Sequence, residues 1–143
     1  MRLARGLGGA CFDHVEGTRV PVNPRGADLK RFLAEDDGGP LVMLNLLRYR
    51  DGGEARYHDY VRRFREFLPD GAQILCVSDC STILVAPETH SWDALLVVRY
   101  PTRRSFTEMV ANPAYQEITA LRTSALDEAV LQATMPWTGV ALS

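Results

Sequence analysis

Two apolar stretches of similar make-up constrain the fold of this 143-residue chain more than any other feature. Residues 41–50 read LVMLNLLRYR and residues 92–101 read WDALLVVRYP, so both runs reach an Arg-Tyr pair. Apolar residues follow one another almost without alternation, which predicts strands that are covered on both faces. The stretches also hold Asn45, Asp93 and Arg99, and burial of such polar groups costs free energy unless they are partnered. The sequence therefore predicts a site on these two strands.

The rest of the chain places these strands within one domain. Residues 1–22 are interpreted as an N-terminal extension, and Asn23-Pro24 predicts the start of a short helix. The elements predicted after it are a strand over 41–50, a helix over 54–68, a strand over 73–85 with a bend or bulge near 78–79, a strand over 92–100, a helix broken at Asn112-Pro113 and a strand over 129–134. This β-α-β-β-α-β order is the ferredoxin-like pattern of an α+β fold, with its helices on one face of an antiparallel sheet.

A second cover is needed for the other face of that sheet. Strands that are apolar on both sides leave one face exposed if helices cover only the other. A second subunit laid face to face is the economical cover, because oligomers of identical chains are commonly symmetric dimers. We therefore predict that residues 23–143 form a single domain and a homodimer through its sheet face.

Composition and charge argue against several classes of function. A net charge of −2 disfavours nucleic acid as a partner, since such binding depends on phosphate contacts. No apolar run approaches the roughly 20 residues that span a bilayer, so no membrane role is expected. The three cysteines form no CxxC pair and the three histidines are scattered, which predicts a reduced, cytoplasmic protein without a metal site. The glycine pairs at 38–39 and 52–53 belong to turns, so we expect no nucleotide or other cofactor.

Three motifs resemble a known bacterial family. Residues 42–49 (VMLNLLRY), 92–101 and 112–116 (NPAYQ) are similar, in this order, to the family catalogued as domain of unknown function 1330. The similarity runs from about Asn23 to Thr134. It implies the dimeric α+β barrel fold and a homodimer. The wider superfamily includes cofactor-free monooxygenases, isomerases, polyketide cyclases, haem-degrading enzymes and ligand-binding domains, so fold alone does not choose a function.

Four residues on or beside the strands are candidates for chemistry. Asn45 would orient a ligand carbonyl or hydroxyl, or else make a structural hydrogen bond. Arg99 shares a strand face with Asp93 and would hold a carboxylate or enolate oxygen, or else form a strand-end ion pair with Asp51. Asp93 is a candidate base or a turn-capping residue. His90, in the hairpin turn, is a candidate general acid or base, or simply an exposed side chain.

Three tyrosines and one arginine are predicted to face the sheet from the helices. Tyr57 and Tyr60 lie on the apolar stripe of their helix, and the spacing of Tyr115 and Arg122 places an arginine on a mostly apolar stripe. Such an arginine needs an anionic partner, either a ligand or an acidic side chain of the protein. Core tyrosines commonly use their hydroxyls in hydrogen bonds. These four residues are therefore candidate substrate-binding residues that would line one cavity with Asn45 and Arg99.

These patterns lead to two functional hypotheses. The first is a cofactor-independent enzyme of the isomerase, cyclase or monooxygenase type that acts on a small oxygenated cyclic or aromatic metabolite, with polar groups that stabilise an enolate-like intermediate. The second is a non-catalytic binding or structural module whose polar residues satisfy one another. A cavity beside Asn45 would favour the first hypothesis. Full pairing of Arg99 and Arg122 with protein carboxylates would favour the second.

Overall fold

The computed structural model describes residues 21–139, in which most of the predicted elements are present. Its helices and strands are α1 (Gly26–Ala34), β1 (Leu41–Tyr49), α2 (Gly53–Phe64), β2 (Gln73–Asp79), β3 (Ala94–Tyr100), α3 (Arg103–Ala111), α4 (Pro113–Ala125) and β4 (Leu126–Thr134). Short 3-10 helices lie at Arg65–Phe67 and Glu88–His90. The predicted extension lies outside the described residues except for residues 21 and 22. Within the described range, no helix has both the length and the apolar character needed to cross a membrane.

The four strands of the described residues form one antiparallel sheet in the order β2-β3-β1-β4. Strand β1 is central, and its Asn45 lies opposite Leu96 of β3 and Leu131 of β4. Helix α2 connects β1 to β2, and the α3–α4 pair connects β3 to β4. This is the split βαβ arrangement, so the predicted ferredoxin-like α+β fold is confirmed.

Burial alternates along the two central strands and distinguishes the two faces of the sheet. The side chains of β1 and β3 that are buried beneath the helices are Leu41, Met43, Asn45, Leu47, Ala94, Leu96, Val98 and Tyr100. The side chains between them are half-buried on the opposite face, which we call the open face, and they are Val42, Leu44, Leu46, Arg48, Leu95, Val97 and Arg99. Within residues 21–139 the apolar core lies on the helix-covered side alone.

Helices α2 and α4 approach each other closely at one end. Gly53 is the first residue of α2, and a Cβ added there would lie 2.1 Å from the carbonyl oxygen of Ala125. Helix α4 itself starts where the sequence predicts. Asn112 ends α3 and caps α4, because its side-chain oxygen accepts a hydrogen bond from the Ala114 N–H at 2.9 Å while Pro113 occupies the first helical position.

The strand predicted over residues 73–85 is shorter than expected. It ends at Asp79, and its irregularity lies between Ile74 and Cys76 rather than at 78–79. The ladder with β3 ends at the pair Asp79–Ala94, and beyond it the Cys80 N–H still donates to the Asp93 carbonyl at 2.9 Å. Leu84 and Val85 instead lie in the following loop and are 89% and 93% exposed.

The first helix begins later than predicted, at Gly26. Its N-cap residue is Arg25, whose backbone N–H and side chain both donate to the Asp28 carboxylate. The expectation that Asn23 caps this helix is wrong. The side chain of Asn23 is instead turned to α4, where its N–H donates to Thr123 Oγ1 at 2.8 Å.

Candidate functional site

A cavity of about 110 Å³ lies between the helix-covered face of the sheet and helices α2, α3 and α4. An engineered cavity of about 150 Å³ accepts benzene, so this smaller space has room for at most one small ring. Apolar and aromatic side chains make up most of the wall. The residues on it that carry hydrogen-bonding groups are Asn23, Asn45, Tyr60, Tyr100, Tyr115, Gln116, Thr119 and Arg122. A cavity beside Asn45, the feature that separates the two hypotheses, is therefore present.

Arg122 is the one charged residue among the described residues that line this cavity. It lies on the buried face of α4 and is 4% exposed. Its Nη1 donates to the carbonyl of Val22 and to Asn23 Oδ1, the latter at 2.6 Å. Both acceptors are neutral, and no carboxylate in residues 21–139 forms an ion pair with it. An uncompensated buried cation is costly, so an anionic ligand beside Arg122 would be strongly favoured.

Tyr57 is a buried neighbour of this arginine. Its side chain is 2% exposed and lies outside the cavity wall. Burial raises the pKa of Tyr57, and the positive charge of Arg122 opposes part of that rise. In residues 21–139, the Tyr57 hydroxyl and Arg122 Nη2 are the two buried side-chain polar atoms without a hydrogen-bond partner. Tyr57 therefore influences the site through Arg122 rather than by touching the cavity.

Tyr60 and Tyr115 bring a hydrogen-bonded pair of phenols to the cavity wall. Their hydroxyl oxygens are 2.7 Å apart, and the rings belong to different helices, α2 and α4. Burial raises the pKa of Tyr60 well above its usual value and also raises that of Tyr115. For Tyr115, the hydrogen bond to Tyr60 and the charge of Arg122 oppose the rise. Both phenols are therefore neutral near pH 7, and they can offer hydrogen bonds but not act as bases.

Asn45 supplies an amide from the floor of the cavity. Its side chain is 6% exposed, and its Nδ2 donates to the backbone carbonyl of Leu96 at 3.2 Å. Its side-chain oxygen forms no hydrogen bond with any residue in the range 21–139. Asn45 therefore fits both of its predicted roles. Its side-chain N–H makes a structural hydrogen bond, and its carbonyl oxygen is free to accept one from a ligand.

The other three candidate residues lie outside the cavity wall. Arg99 pairs with Val42 and lies on the open face, opposite to the face of Asn45. It forms no ion pair with Asp51 or with another residue of the described part of the chain. Asp93 is exposed, and its carboxylate accepts a hydrogen bond from the Tyr49 N–H at 2.8 Å, which joins it to the end of β1 rather than to its own turn. The expectation that Arg99 and Tyr57 line one cavity with Asn45 is therefore wrong.

His90 is also remote from the cavity. It is the last residue of the short 3-10 helix Glu88–His90, and its side chain is exposed. Its backbone N–H donates to the carbonyl of Pro87 at 3.0 Å. The geometry therefore brings together Asn45, Tyr60, Tyr115 and Arg122, with Tyr57 adjacent, and leaves His90 on the surface.

Sequence reasoning missed four wall residues that carry hydrogen-bonding groups: Asn23, Tyr100, Gln116 and Thr119. Thr119 follows Tyr115 by four residues and precedes Arg122 by three, so the helical spacing already applied to α4 would have found it. Gln116 lies within the NPAYQ motif, and its side-chain N–H donates to the carbonyl of Val110. The position of Asn23 follows from the packing of the segment before α1 on α4, and no local pattern contains that information.

A second, larger cleft of about 370 Å³ lies beneath α1, against α3 and β4. Its buried arginine, Arg103, is 7% exposed but differs from Arg122 in its surroundings. Its guanidinium lies over the ring of Phe32 at 4.7 Å, donates to the Phe32 carbonyl and lies 3.9 Å from a Glu35 carboxylate oxygen. The charge of Arg103 is thus partnered within the protein, whereas that of Arg122 is not.

Three exposed side chains could approach a metal ion at the surface. Ligand atoms of Glu54, His58 and Asp79 all lie within 4.8 Å of one another. They come from α2 and the end of β2, which is why their spacing in the sequence shows no motif. Exposed acidic groups often lie this close without binding an ion, and the cluster is separate from the cavity.

Comparisons with known proteins agree with the fold. No protein-family model matches the sequence, and no curated protein does. Two crystal structures of a protein of unknown function from Rhodopseudomonas palustris are similar to this chain. One, of the methylated protein, has a TM-score of 0.76 at 26% identity and covers 85% of this chain and 98% of its own. The other has a TM-score of 0.74 at 25% identity and covers 82% and 97%.

A more distant structure has the same architecture. A putative antibiotic biosynthesis monooxygenase from Bacteroides thetaiotaomicron has a TM-score of 0.52 at 15% identity, with 73% of this chain and 97% of that chain covered. At this identity the similarity shows the fold alone. Fold and cavity together define this chain as a ferredoxin-like α+β protein with a small, mostly apolar cavity that contains one buried cation.

Proposed function

We propose that this protein is a cofactor-independent enzyme of the isomerase, cyclase or monooxygenase type. Its substrate would be a small oxygenated cyclic or aromatic metabolite bound in the cavity between sheet and helices. The observation that carries the proposal is the buried guanidinium of Arg122, which borders the cavity and has no carboxylate partner in residues 21–139. Buried charges of this kind are retained where they act on a ligand, since they reduce stability otherwise.

Each polar group of the wall has a role in such a reaction. Arg122 would stabilise the negative charge that develops on an enolate-like or phenolate-like intermediate. The neutral Tyr60–Tyr115 pair would donate a hydrogen bond or a proton to the substrate, and Asn45 would orient it through its free carbonyl oxygen. No histidine or carboxylate lies on the described part of the wall. The substrate would therefore have to carry its own acidic proton, as enols and phenols do.

A variant series tests the proposal directly. Single-ring phenols and enolisable keto acids would be screened with an oxygen electrode and by ultraviolet difference spectra, and the best substrate used for all variants. We expect Arg122→Ala to lower turnover by about 100-fold, as does the loss of one donor to a developing oxyanion. Asn45→Ala should lower turnover by about 100-fold as well, because it removes the group that orients the substrate. Arg99→Ala, on the open face, is the matched control and should leave turnover unchanged. Full turnover in folded Asn45→Ala and Arg122→Ala proteins would show the assignment to be wrong.

One observation favours the alternative of a non-catalytic binding module. No group on the described wall is a base near pH 7, because burial raises the pKa values of Tyr60 and Tyr115. A binding module needs no base. A ligand of the native state raises the melting temperature in either case. Recovery of that ligand chemically unchanged would support a binding module, and its conversion would support an enzyme.

We also propose membership of the domain of unknown function 1330 family and a homodimer formed through the open face. The half-buried apolar side chains of β1 and β3 support the dimer, because a face of this kind is normally covered. Leu44→Glu places a charge within this face and should give a monomer in sedimentation velocity. Arg62→Glu, on the exposed side of α2, is the control. A Leu44→Glu protein that remains dimeric would exclude this interface.

A cytoplasmic location remains part of the proposal. Cys76 and Cys80 are free and exposed thiols, which supports a reducing compartment. Labelling of cell extracts with a thiol reagent under non-reducing conditions tests this expectation, since both cysteines should react before any reductant is added.

A further inference from the structure

We infer that the cavity selects a compact monoanion and rejects neutral, dianionic and zwitterionic molecules of the same size. This inference rests on the proposed small-molecule role of the cavity and adds the charge class of its ligand. The charges on the cavity wall are the basis of this selectivity. Arg122 contributes one positive charge, and every other described residue that lines the cavity is neutral near pH 7.

Counting charges predicts the charge of the best ligand. A monoanion neutralises Arg122 and leaves no charge unpaired. A dianion would bury a second negative charge for which the described wall holds no cation, and a zwitterion would bring an ammonium group for which it holds no carboxylate. A neutral molecule would leave the guanidinium as it is now, hydrogen-bonded to the neutral oxygens of Val22 and Asn23.

The shape of the cavity restricts the remainder of the ligand. A volume of about 110 Å³ allows a single small ring or a short branched chain but not a fused polycyclic body. The rest of the wall is mostly apolar, with Leu96, Val98, Phe106 and Met109 among its members. The ligand class is thus a small ring carboxylate or an acidic enol or phenol, with its charged oxygen at Arg122.

Fluorine NMR of three related probes tests this selectivity. The probes are para-fluorobenzoate, the neutral para-fluorobenzamide and a fluorinated phthalate dianion, each titrated into the full-length protein near pH 7, where benzoate is ionised. We expect the benzoate to bind at least tenfold more tightly than either of the others, since hydrogen bonds to charged groups are the stronger ones. Benzamide or phthalate binding as tightly as benzoate would overturn the inference, and so would benzoate failing to bind.

Substitution of each buried arginine tests whether the probes bind in the cavity. Arg122→Met should weaken benzoate at least tenfold and leave benzamide unchanged, while Arg103→Met, which removes a buried arginine of the second cleft, should change neither. Dependence on Arg103 alone would overturn the inference. An Asp13→Asn, Glu16→Gln double variant tests whether an acidic side chain outside the described residues is the counter-ion of Arg122. Tighter benzoate binding by this variant would also overturn the inference. Selective binding of the monoanion without any turnover would support the charge selectivity and refute the proposed enzymatic function. Turnover of a neutral substrate would support the enzymatic function and refute the charge selectivity.

Discussion

Replacing Gly53 by alanine should separate the two helices that carry the site. Gly53 opens α2, which holds Tyr57 and Tyr60, and it lies against Ala125 at the end of α4. An added Cβ would lie 2.1 Å from the Ala125 carbonyl oxygen, 2.9 Å from its carbonyl carbon and 3.1 Å from its Cα. Reaching ordinary contact at about 3.4 Å requires the oxygen and the Cβ to move apart by about 1.3 Å, the difference between 3.4 and 2.1 Å.

The size of the effect follows from what the new methyl group meets. All three atoms belong to backbone, so no side chain can rotate away. The same Ala125 oxygen accepts a hydrogen bond from the Arg50 N–H at 2.9 Å, which a shift would weaken. Overpacking that forces backbone movement costs about 1–3 kcal/mol and occasionally more, and we expect Gly53→Ala to lower the free energy of unfolding by about 3 kcal/mol.

The measurement is urea unfolding followed by circular dichroism at one fixed protein concentration. Gly26→Ala is the matched control, since it also changes the first residue of a helix, but nothing lies within 4 Å of the added Cβ. The control should be neutral or stabilising by up to about 1 kcal/mol. If the two variants differ by less than about 0.5 kcal/mol, the close approach of α2 and α4 is not as described.

Three further outcomes follow from the same structure. Tyr60→Phe and Tyr115→Phe should each lower the free energy of unfolding by about 1 kcal/mol. The double variant should lose about 1 kcal/mol less than the sum of the two, because both substitutions remove the same hydrogen bond. Additive losses in urea unfolding would exclude that hydrogen bond. All five tyrosines have raised pKa values in the folded protein, that of Tyr49 to about 12. The neutral tyrosines therefore contribute to the free energy of unfolding below about pH 10, and this contribution should be lost as the pH rises through their pKa values in the folded protein. Phenolate absorbance that appears at about pH 10 in the folded protein would contradict this. Asn112→Ala should lower the melting temperature by removing a cap of about 1 kcal/mol, whereas Asn112→Asp should retain it.

The sequence predicted the helix side of the site well because the relevant information is local. Helical spacing alone put Tyr115 and Arg122 on one buried stripe, and both lie on the cavity wall. The capping of α4 by Asn112 was likewise predictable, since Asn-Pro at a helix start has a direct physical reason.

The strand side was harder because it depends on register between strands. Alternation within one strand predicted a shared face for Asp93 and Arg99, but Asp93 lies before β3, and alternation could not relate the face of Arg99 to the face of Asn45. The pairing of Asn45 with Leu96 decides this question, because Arg99 is three residues further along β3 and so points to the opposite side. A register is set by contacts between distant segments, and no local pattern contains it.

The loop after β2 shows the opposite error, in which a local pattern was followed too far. Residues 83–85 have the composition of a strand, yet strand formation requires a partner backbone, and the ladder with β3 ends at Asp79. Similarly, Asn23 has the sequence of a helix cap but serves Arg122 and Thr123 instead. In both places tertiary contacts override local preference.

The most direct test of the central claim is a crystal structure of the protein soaked with para-bromobenzoate, with the bromine located by its anomalous scattering. We expect the bromine inside the cavity, with a carboxylate oxygen at about 2.8 Å from the guanidinium of Arg122, the usual length of a charge-assisted hydrogen bond. Bromine found only in the second cleft or on the surface, with the cavity empty and Arg122 unchanged, would contradict it.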